Sequence, residues 1–310
     1  MNEITLSFVL TTYNKLPYLR IVLERAIQER KEDEEIVVID GGSSDGTAEY
    51  LQDLFTTGKI QKFVSEKDFG EGHGFNKGIL MAGGRLIKLM TDDDAYDFRA
   101  IAACRKYMLE NPDIDYLNTH GGWYDIRLHN EISVFTEVYL GMMQEWKDKG
   151  TPFACCMLGS MINRKSLPLI GLLNPSMKRA DAEYSLRITS QKIKMAWYLG
   201  VAYVRVQNQQ SNSIVFLQAI QQESKRLNAF YNVILDLNAE EAKEPSVIQH
   251  SIHAIGKIYT KWFGNGKPKQ PGDEVKQEIQ KVSEKEAFEY AYQWMEAENK
   301  ELSTVFVSNR

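Results

Sequence analysis

The sequence predicts an α/β protein with a mostly parallel central sheet flanked by helices and a helical extension at its C-terminal end. Three observations carry this prediction. Short apolar runs alternate with amphipathic stretches over residues 1–96, and two runs joined by one helix make a βαβ unit whose strands are parallel. Each run stops at polar or glycine-rich residues, which marks the edge where open parallel sheets hold ligands and predicts a nucleotide pocket there. Beyond Ser213 the apolar residues recur at the helical period.

Ile4 to Thr11 is the first strand, ending at Thr12-Tyr13-Asn14. Pro17 suits the first turn of a helix, where a missing N–H costs nothing, and Leu19, Val22, Leu23, Ala26 and Ile27 form its buried stripe. Glu35 to Asp40 is the second strand. Gly41 to Thr47 is a tight turn, with Thr47 placed to cap a helix through Phe55. A third strand covers residues 62–65. The glycine-rich stretch Asp68 to Gly74 reads as a loop before a helix from about Phe75 to Ala82, which Gly83-Gly84 ends.

The fourth strand, Leu86 to Thr91, runs straight into Asp92-Asp93-Asp94. A helix from Asp97 to Leu109 stops near Asn111-Pro112, and Tyr116 to Thr119 is a strand. Residues 123–140 have the mixed alternation of antiparallel strands. Residues 178–190 are helical and Met195 to Val206 is a late strand, so the main body spans 1–213 and the extension 214–310. Within the extension, Ile248, Ile252, Ile255, Tyr259 and Trp262 with nearby lysines make residues 246–269 a candidate for peripheral membrane contact. Packing of these stripes on the body or on a second subunit, as in a homo-oligomer, is the competing expectation.

Composition narrows the function classes. Hydrophobic content of 43% and charged content of 25% are ordinary for a globular protein. A net charge of −5 argues against a nucleic-acid partner bound through a broad basic face. Three cysteines, two of them adjacent at Cys155-Cys156, do not make a disulfide framework. That pair reads as buried filler rather than as nucleophiles, because no histidine partner is identifiable. The start, Met-Asn-Glu, carries no signal-type apolar core, and no apolar run approaches a membrane span, so the expected address is the cytoplasm.

Three adjacent acids at a strand tip repel one another. A divalent cation resolves that conflict, and hard carboxylate oxygens suit Mg²⁺ or Mn²⁺. In an extended backbone Asp92 and Asp94 would point one way and Asp93 the other.

Taken in order, the loops Thr-Thr-Tyr-Asn (11–14), Asp-Gly-Gly-Ser-Ser-Asp-Gly-Thr (40–47), Ser-Glu-Lys-Asp-Phe-Gly (65–70) with Asn76-Lys77-Gly78-Ile79, and Thr-Asp-Asp-Asp-Ala-Tyr (91–96) form a pattern. It resembles the inverting family 2 glycosyltransferases of GT-A fold, of the kind that builds bacterial polysaccharides. The resemblance covers residues 4–213 and is strongest over 4–96. It implies a nucleotide-binding half at 1–96 and an acceptor half at 97–213. It also implies a nucleoside diphosphate sugar donor, UDP-linked by family weight, and a saccharide or lipid-linked saccharide acceptor, with the inner face of the plasma membrane as a candidate peripheral location of the protein.

By the same resemblance Thr11, Tyr13, Asn14 and Asp40 line the nucleoside pocket, Asp68 approaches the base, and Asn76 and Lys77 belong to the helix behind it. Asp92 then lies near the ribose and Asp93 on a metal that bridges the diphosphate. This placement differs from the bare alternation, which leaves Asp94 as a second candidate ligand. Asp181, in Arg179-Ala180-Asp181-Ala182-Glu183, falls on the family's catalytic aspartate, with Glu183 the nearby competitor. Inversion needs such a carboxylate to take the acceptor's proton.

The chain departs from the family pattern in three places. His73-Gly74-Phe75-Asn76 replaces Asp-Ala-x-Asn, which makes His73 a candidate diphosphate contact. Ala180 replaces a glutamate. The stretch after the last strand, 203–213, has no histidine, so Arg205 is the candidate for assisting the diphosphate. Trp123, Tyr124, Phe153 and Trp197 are candidates for stacking on a sugar. The competing functions are a nucleotidyltransferase, disfavoured by the lack of a glycine-rich basic loop after the first strand, and an inactive sugar-nucleotide-binding module.

Overall fold

The computed structural model describes residues 3–128, 131–134, 136–235, 282–300 and 305–309. In chain order β1 (Leu6–Thr12), α1 (Leu16–Glu29), β2 (Glu34–Asp40), α2 (Thr47–Thr56), β3 (Lys62–Ser65), α3 (Glu71–Met81) and β4 (Leu86–Thr91) make the first half. They are followed by β5 (Ala95–Tyr96), α4 (Phe98–Glu110), β6 (Tyr116–Asp125), β7 (Ser133–Val134), α5 (Thr136–Lys149) and β8 (Met161–Asn163). Next come α6 (Leu167–Ile170), α7 (Ala180–Ser190), β9 (Met195–Gln207), α8 (Asn212–Val215) and α9 (Leu217–Tyr231). Helix α10 (Glu284–Glu298) and β10 (Phe306–Ser308) complete the described chain.

The main strands lie in the order β10-β9-β6-β8-β4-β1-β2-β3, with β5 on β9 and β7 on β6. Strands β1 to β4 pair in parallel, as the βαβ reading requires, and β6 runs parallel to β9. Strand β8 enters antiparallel between the two parallel blocks, and β10 closes the far edge antiparallel to β9. Alternation along β1 sends Leu6, Phe8 and Leu10 to one face and Val9 to the other. The first face is covered by α1, α2, α4 and α10, the second by α3, α5 and α7. Sheet and helices therefore form the α/β arrangement expected, and the carboxyl ends of β1, β2 and β4 open on one side.

Several expected elements shift. Thr47 is the first residue of α2 and not its cap. The cap position is Gly46 at φ 92°, and the Asp45 carboxylate accepts from the Thr47 N–H and hydroxyl. Helix α3 starts at Glu71, four residues before the expected Phe75, so Gly72 and Gly74 are helical. Close packing explains this. A Cβ at Gly78 would run into Val9, and one at Gly74 would lie 3.1 Å from Thr11 Cγ2. Gly74 and Gly78 let α3 press on the sheet, and Gly72 packs against Ala180.

Within residues 123–140 the end of β6 and the short β7 pair antiparallel, as expected, and the start of α5 follows. In the C-terminal region, α10 begins with a reciprocal cap between Ser283 and Glu286 and buries Ala287, Phe288, Ala291 and Met295 in the core shared with α1. Among the described residues, no helix is long and apolar enough to cross a membrane. Residues 246–269, the candidate for membrane contact, lie outside the described residues.

Candidate functional site

The Thr-Asp-Asp-Asp-Ala-Tyr segment ties itself into a knot that sorts its three acids. Strand β4 ends at Thr91, so the extended alternation stops there. The Thr91 hydroxyl donates to Asp94 Oδ2 at 2.5 Å, the Thr91 N–H donates to the Tyr96 hydroxyl at 2.8 Å, and the Val206 N–H donates to Asp94 Oδ1 at 2.8 Å. Both Asp94 oxygens are thus committed to holding the β4 tip against β9. Asp92 and Asp93 share another partner: Lys15 Nζ lies 2.6 Å from Asp93 Oδ2 and 3.6 Å from Asp92 Oδ1. The pairing of Asp92 with Asp94 expected from alternation is replaced by one of Asp92 with Asp93.

Lys15 occupies the N-cap position of α1, where a short polar side chain is usual. The capping bond comes from elsewhere, because Asp45 Oδ2 accepts the Leu16 N–H at 2.9 Å. The Lys15 side chain is therefore free to reach the acids. Asn14, at φ 52°, locks the same corner: its N–H donates to Ser43 Oγ and its Oδ1 accepts the Ser44 N–H, both at 2.8 Å. The Asp40–Thr47 turn is in this way a brace for the β1–α1 loop.

The acids lie on a cavity of about 960 Å³ at the carboxyl ends of β1 and β4. Its walls include Thr11, Tyr13, Asn14, Lys15, Asp68, Glu71, Asp92, Asp93 and Asp94 from the first half, and Cys156, Asp181, Arg205 and Phe216 from the second. A volume near the upper end of the usual range for small-molecule sites accommodates a nucleotide-sized ligand. Tyr13 is 60% exposed at the rim, an aromatic face left without cover. Asp181 sits in the first turn of α7, its Oδ1 accepting the Ala182 N–H, whereas Glu183 is ion-paired with Arg187 at 2.9 Å and is not part of the wall.

Three expected site residues stand behind the wall. Asp40 is fully buried and accepts from Ser43 Oγ at 2.5 Å and Ser65 Oγ at 2.6 Å. Asn76 exchanges two hydrogen bonds with the Leu173 backbone, and Lys77 pairs with Glu66 at 2.8 Å. His73 also points away from the cavity, its Nδ1 accepting the Phe69 N–H. Trp123, Tyr124, Phe153 and Trp197 do not reach the cavity either. The last three are buried in the core, and Trp123 donates to Gln207. The aromatic rings at the wall are Tyr13, Phe69, Phe75 and Phe216.

Burial raises the pKa of Asp92, and the Asp93 charge adds to this against Lys15; Asp94 is raised by burial and by Asp93. For Lys15 the ranking reverses: burial lowers its pKa, but the Asp92 and Asp93 charges together outweigh that and hold it above the usual lysine range. Arg205 is likewise raised, burial opposing and Cys156, Asp94 and Asp181 favouring the cation. Burial pushes the Cys155 thiol up to about 12 and that of Cys156 to about 11, which removes both as thiolate nucleophiles near neutrality.

Two carboxylates converging on one ammonium make a place built for positive charge. Among the described residues no group of three or more His, Cys, Asp or Glu side chains could hold a metal ion. The donor set therefore fits a cation held by one or two carboxylates and completed by a ligand's phosphate oxygens, the usual mode for Mg²⁺. Lys15, Glu71 and Asn208 were not singled out from the sequence. Asn208 Nδ2 donates to Asp93 Oδ2 at 2.8 Å, and Asn212 Nδ2 donates to Glu71 at 3.0 Å. The one signal for Lys15 was a lysine where a helix start calls for a capping residue.

Residues 7–167 match the model of glycosyl transferase family 2. The chain belongs to that family. Among curated relatives, the chondroitin synthase of Escherichia coli is 28% identical over 98 residues, which is 32% of this chain and 14% of that protein. An uncharacterized glycosyltransferase of Haemophilus influenzae is 24% identical over 192 residues, 60% of this chain and 72% of that one. The chain thus spans only a small part of the chondroitin synthase.

Among solved structures, the mannosyltransferase PcManGT from Pyrobaculum calidifontis, in complex with GDP-Man and Mn²⁺, superposes with a TM-score of 0.56 at 15% identity. It covers 96% of this chain and 76% of its own. Residues 1–349 of TarS from S. aureus, in complex with UDP-GlcNAc, give 0.53 at 14% identity over 83% and 81%. These likenesses establish the fold, which is the GT-A arrangement.

Proposed function

We propose that this chain transfers a sugar, with inversion, from a nucleoside diphosphate sugar to a hydroxyl of a saccharide or lipid-linked saccharide. The observation that carries the reading is one cavity whose first-half wall holds Asp92 and Asp93 and whose second-half wall holds Asp181 and Arg205. In the division we propose, residues 1–96 serve the donor, 97–213 the acceptor, and 214–310 form the extension. UDP is the proposed nucleotide, its base between Tyr13 and Asp68 and its ribose near Asp92. Asp40, Asn76 and Lys77 shape this pocket from behind.

Asp181 takes the proton of the acceptor hydroxyl as that oxygen attacks the anomeric carbon. The bond from that carbon to the diphosphate oxygen breaks, its electron pair leaving with the diphosphate, and the anomeric configuration inverts. Negative charge grows on the leaving group, where Arg205 and Lys15 can oppose it in a partly desolvated site. A divalent cation, Mn²⁺ or Mg²⁺, would be held by Asp93 together with the donor's phosphate oxygens and would neutralise the same charge. Asp94 serves the strand tip in this scheme and Asp93 the cation.

The test is a titration of UDP and GDP into the protein by calorimetry, with Mn²⁺ and with a chelator, followed by NMR assignment of the product's anomeric configuration. Metal-dependent UDP binding and an inverted product are expected. Absence of affinity for either nucleotide would remove the reading.

A further inference from the structure

The position of Lys15 goes one step beyond the proposed reaction and rests on that reading. Its ammonium lies where the Asp92 and Asp93 carboxylates of the strand tip converge, 2.6 Å from Asp93 Oδ2, and its side chain is only 13% exposed. Lys15 makes no side-chain cap for α1, and Asp45 accepts the Leu16 N–H of its first turn instead. The surroundings do require a cation. Asp92 and Asp93 are both buried at the cavity, and Glu71 and Asp181 line the same cavity. Adjacent carboxylates in such a place cannot both stay ionised without a positive charge beside them. Among the described residues no three-acid cage exists that could take a divalent cation from water by itself.

We propose that Lys15 is a resident counter-cation: its ammonium holds the metal's place on Asp93 until the donor arrives, then moves onto the donor's phosphates as the divalent cation enters. The consequence is an order of binding. Free metal competes with a tethered ammonium for Asp93 and loses. Metal escorted by a diphosphate wins, because the phosphate oxygens complete its shell and give the displaced ammonium a new anionic partner. Lys15 is then a binding residue in both states, with a different partner in each. A sugar-nucleotide pocket organised in this way keeps its acids neutralised when empty and does not trap metal without substrate.

The experiment is Mn²⁺ titration of the full chain without nucleotide, read by the electron paramagnetic resonance signal of free Mn²⁺, for the parent and for Lys15→Met, which keeps the stem and removes the charge. Removing a unit charge a few ångströms from the ion should tighten donor-free Mn²⁺ binding by at least about tenfold. Adding Asp93→Asn to that variant should abolish the gain. Metal-free UDP binding should weaken in Lys15→Met. Lys15→Gln is the second variant should the methionine disturb folding, which circular dichroism reports. Unchanged donor-free Mn²⁺ affinity in the charge-removed variants would overturn the proposal, as would a gain that survives Asp93→Asn. Failure of the parent to bind UDP with Mn²⁺ would instead overturn the functional reading, so the two failures are distinguishable.

Discussion

The side-chain amide of Asn208 donates to Asp93 Oδ2 over 2.8 Å and so ties the turn after β9 to the tip of β4. Two stretches of chain over a hundred residues apart thereby fix one carboxylate. An outer partner of this kind typically contributes 10–100-fold to metal affinity. Asn208→Ala should weaken metal-dependent UDP binding by roughly tenfold or more. The same side chain donates to the Val206 carbonyl and accepts the Gln210 N–H, so the variant should also lose stability, about 1–3 kcal/mol. Calorimetry and a urea titration on the same variant separate the two.

The neighbouring acids should divide by effect. Asp94 accepts from Thr91 and Val206 inside the fold, so Asp94→Ala strands buried donors, at about 1–3 kcal/mol each. Asp93→Ala should cost less stability and more metal-dependent UDP affinity. Denaturation midpoints and UDP titrations of the two variants should rank in opposite orders. The same ranking in both measurements would refute this division of labour.

Asp181 and Glu183 give a similar contrast. Asp181→Asn should retain UDP binding and lower transfer by roughly 10²–10⁴-fold, the usual contribution of a positioned base. Glu183→Gln should leave transfer near normal while loosening Arg187, whose guanidinium also donates to the Ile170 and Leu172 carbonyls. Near-normal transfer by Asp181→Asn would shift the role to another carboxylate on the wall, Glu71 being the nearest candidate in character.

Acid sensitivity should come in part from His120. It is 1% exposed, its Nδ1 accepts the Trp197 indole N–H at 3.2 Å, and burial lowers its pKa to about 4. A histidine depressed below its unfolded value of about 6.5 contributes stability that is whole above that pH. The contribution drains away as the pH falls from 6.5 towards 4, because the unfolded chain takes the proton first. The loss across that window should be of order 3 kcal/mol. His120→Gln should lower stability near neutrality but flatten this part of the profile relative to the parent. Chemical denaturation at a series of pH values is the check.

Much of this was legible in the sequence for physical reasons. The first four strands and their parallel pairing follow from apolar runs with polar ends, and the strand tip shows itself as three adjacent acids. What could not be read were the places where long-range packing overrides local rules. Glycines 72 and 74 look like a loop until Ala180 and Asn174 are known to lie against the first and Thr11 of β1 against the second. Alternation of Asp92, Asp93 and Asp94 fails because Tyr96 and Val206 bend the chain after Thr91. Trp197 and Phe153 look like sugar platforms but fill the second core. Asp40 carries a family position yet turns inward to two serines, a choice decided by Ser65 on another strand.

Under the proposed function, the cavity between the Asp92-Asp93 tip and Asp181 turns over a sugar nucleotide. Incubation of the full chain with a panel of nucleoside diphosphate sugars and Mn²⁺, with mass detection of the released diphosphate, tests it most directly. Release from at least one donor, lost in Asp93→Ala, is predicted. No release from any donor by the parent, or equal release by Asp93→Ala, would contradict the account.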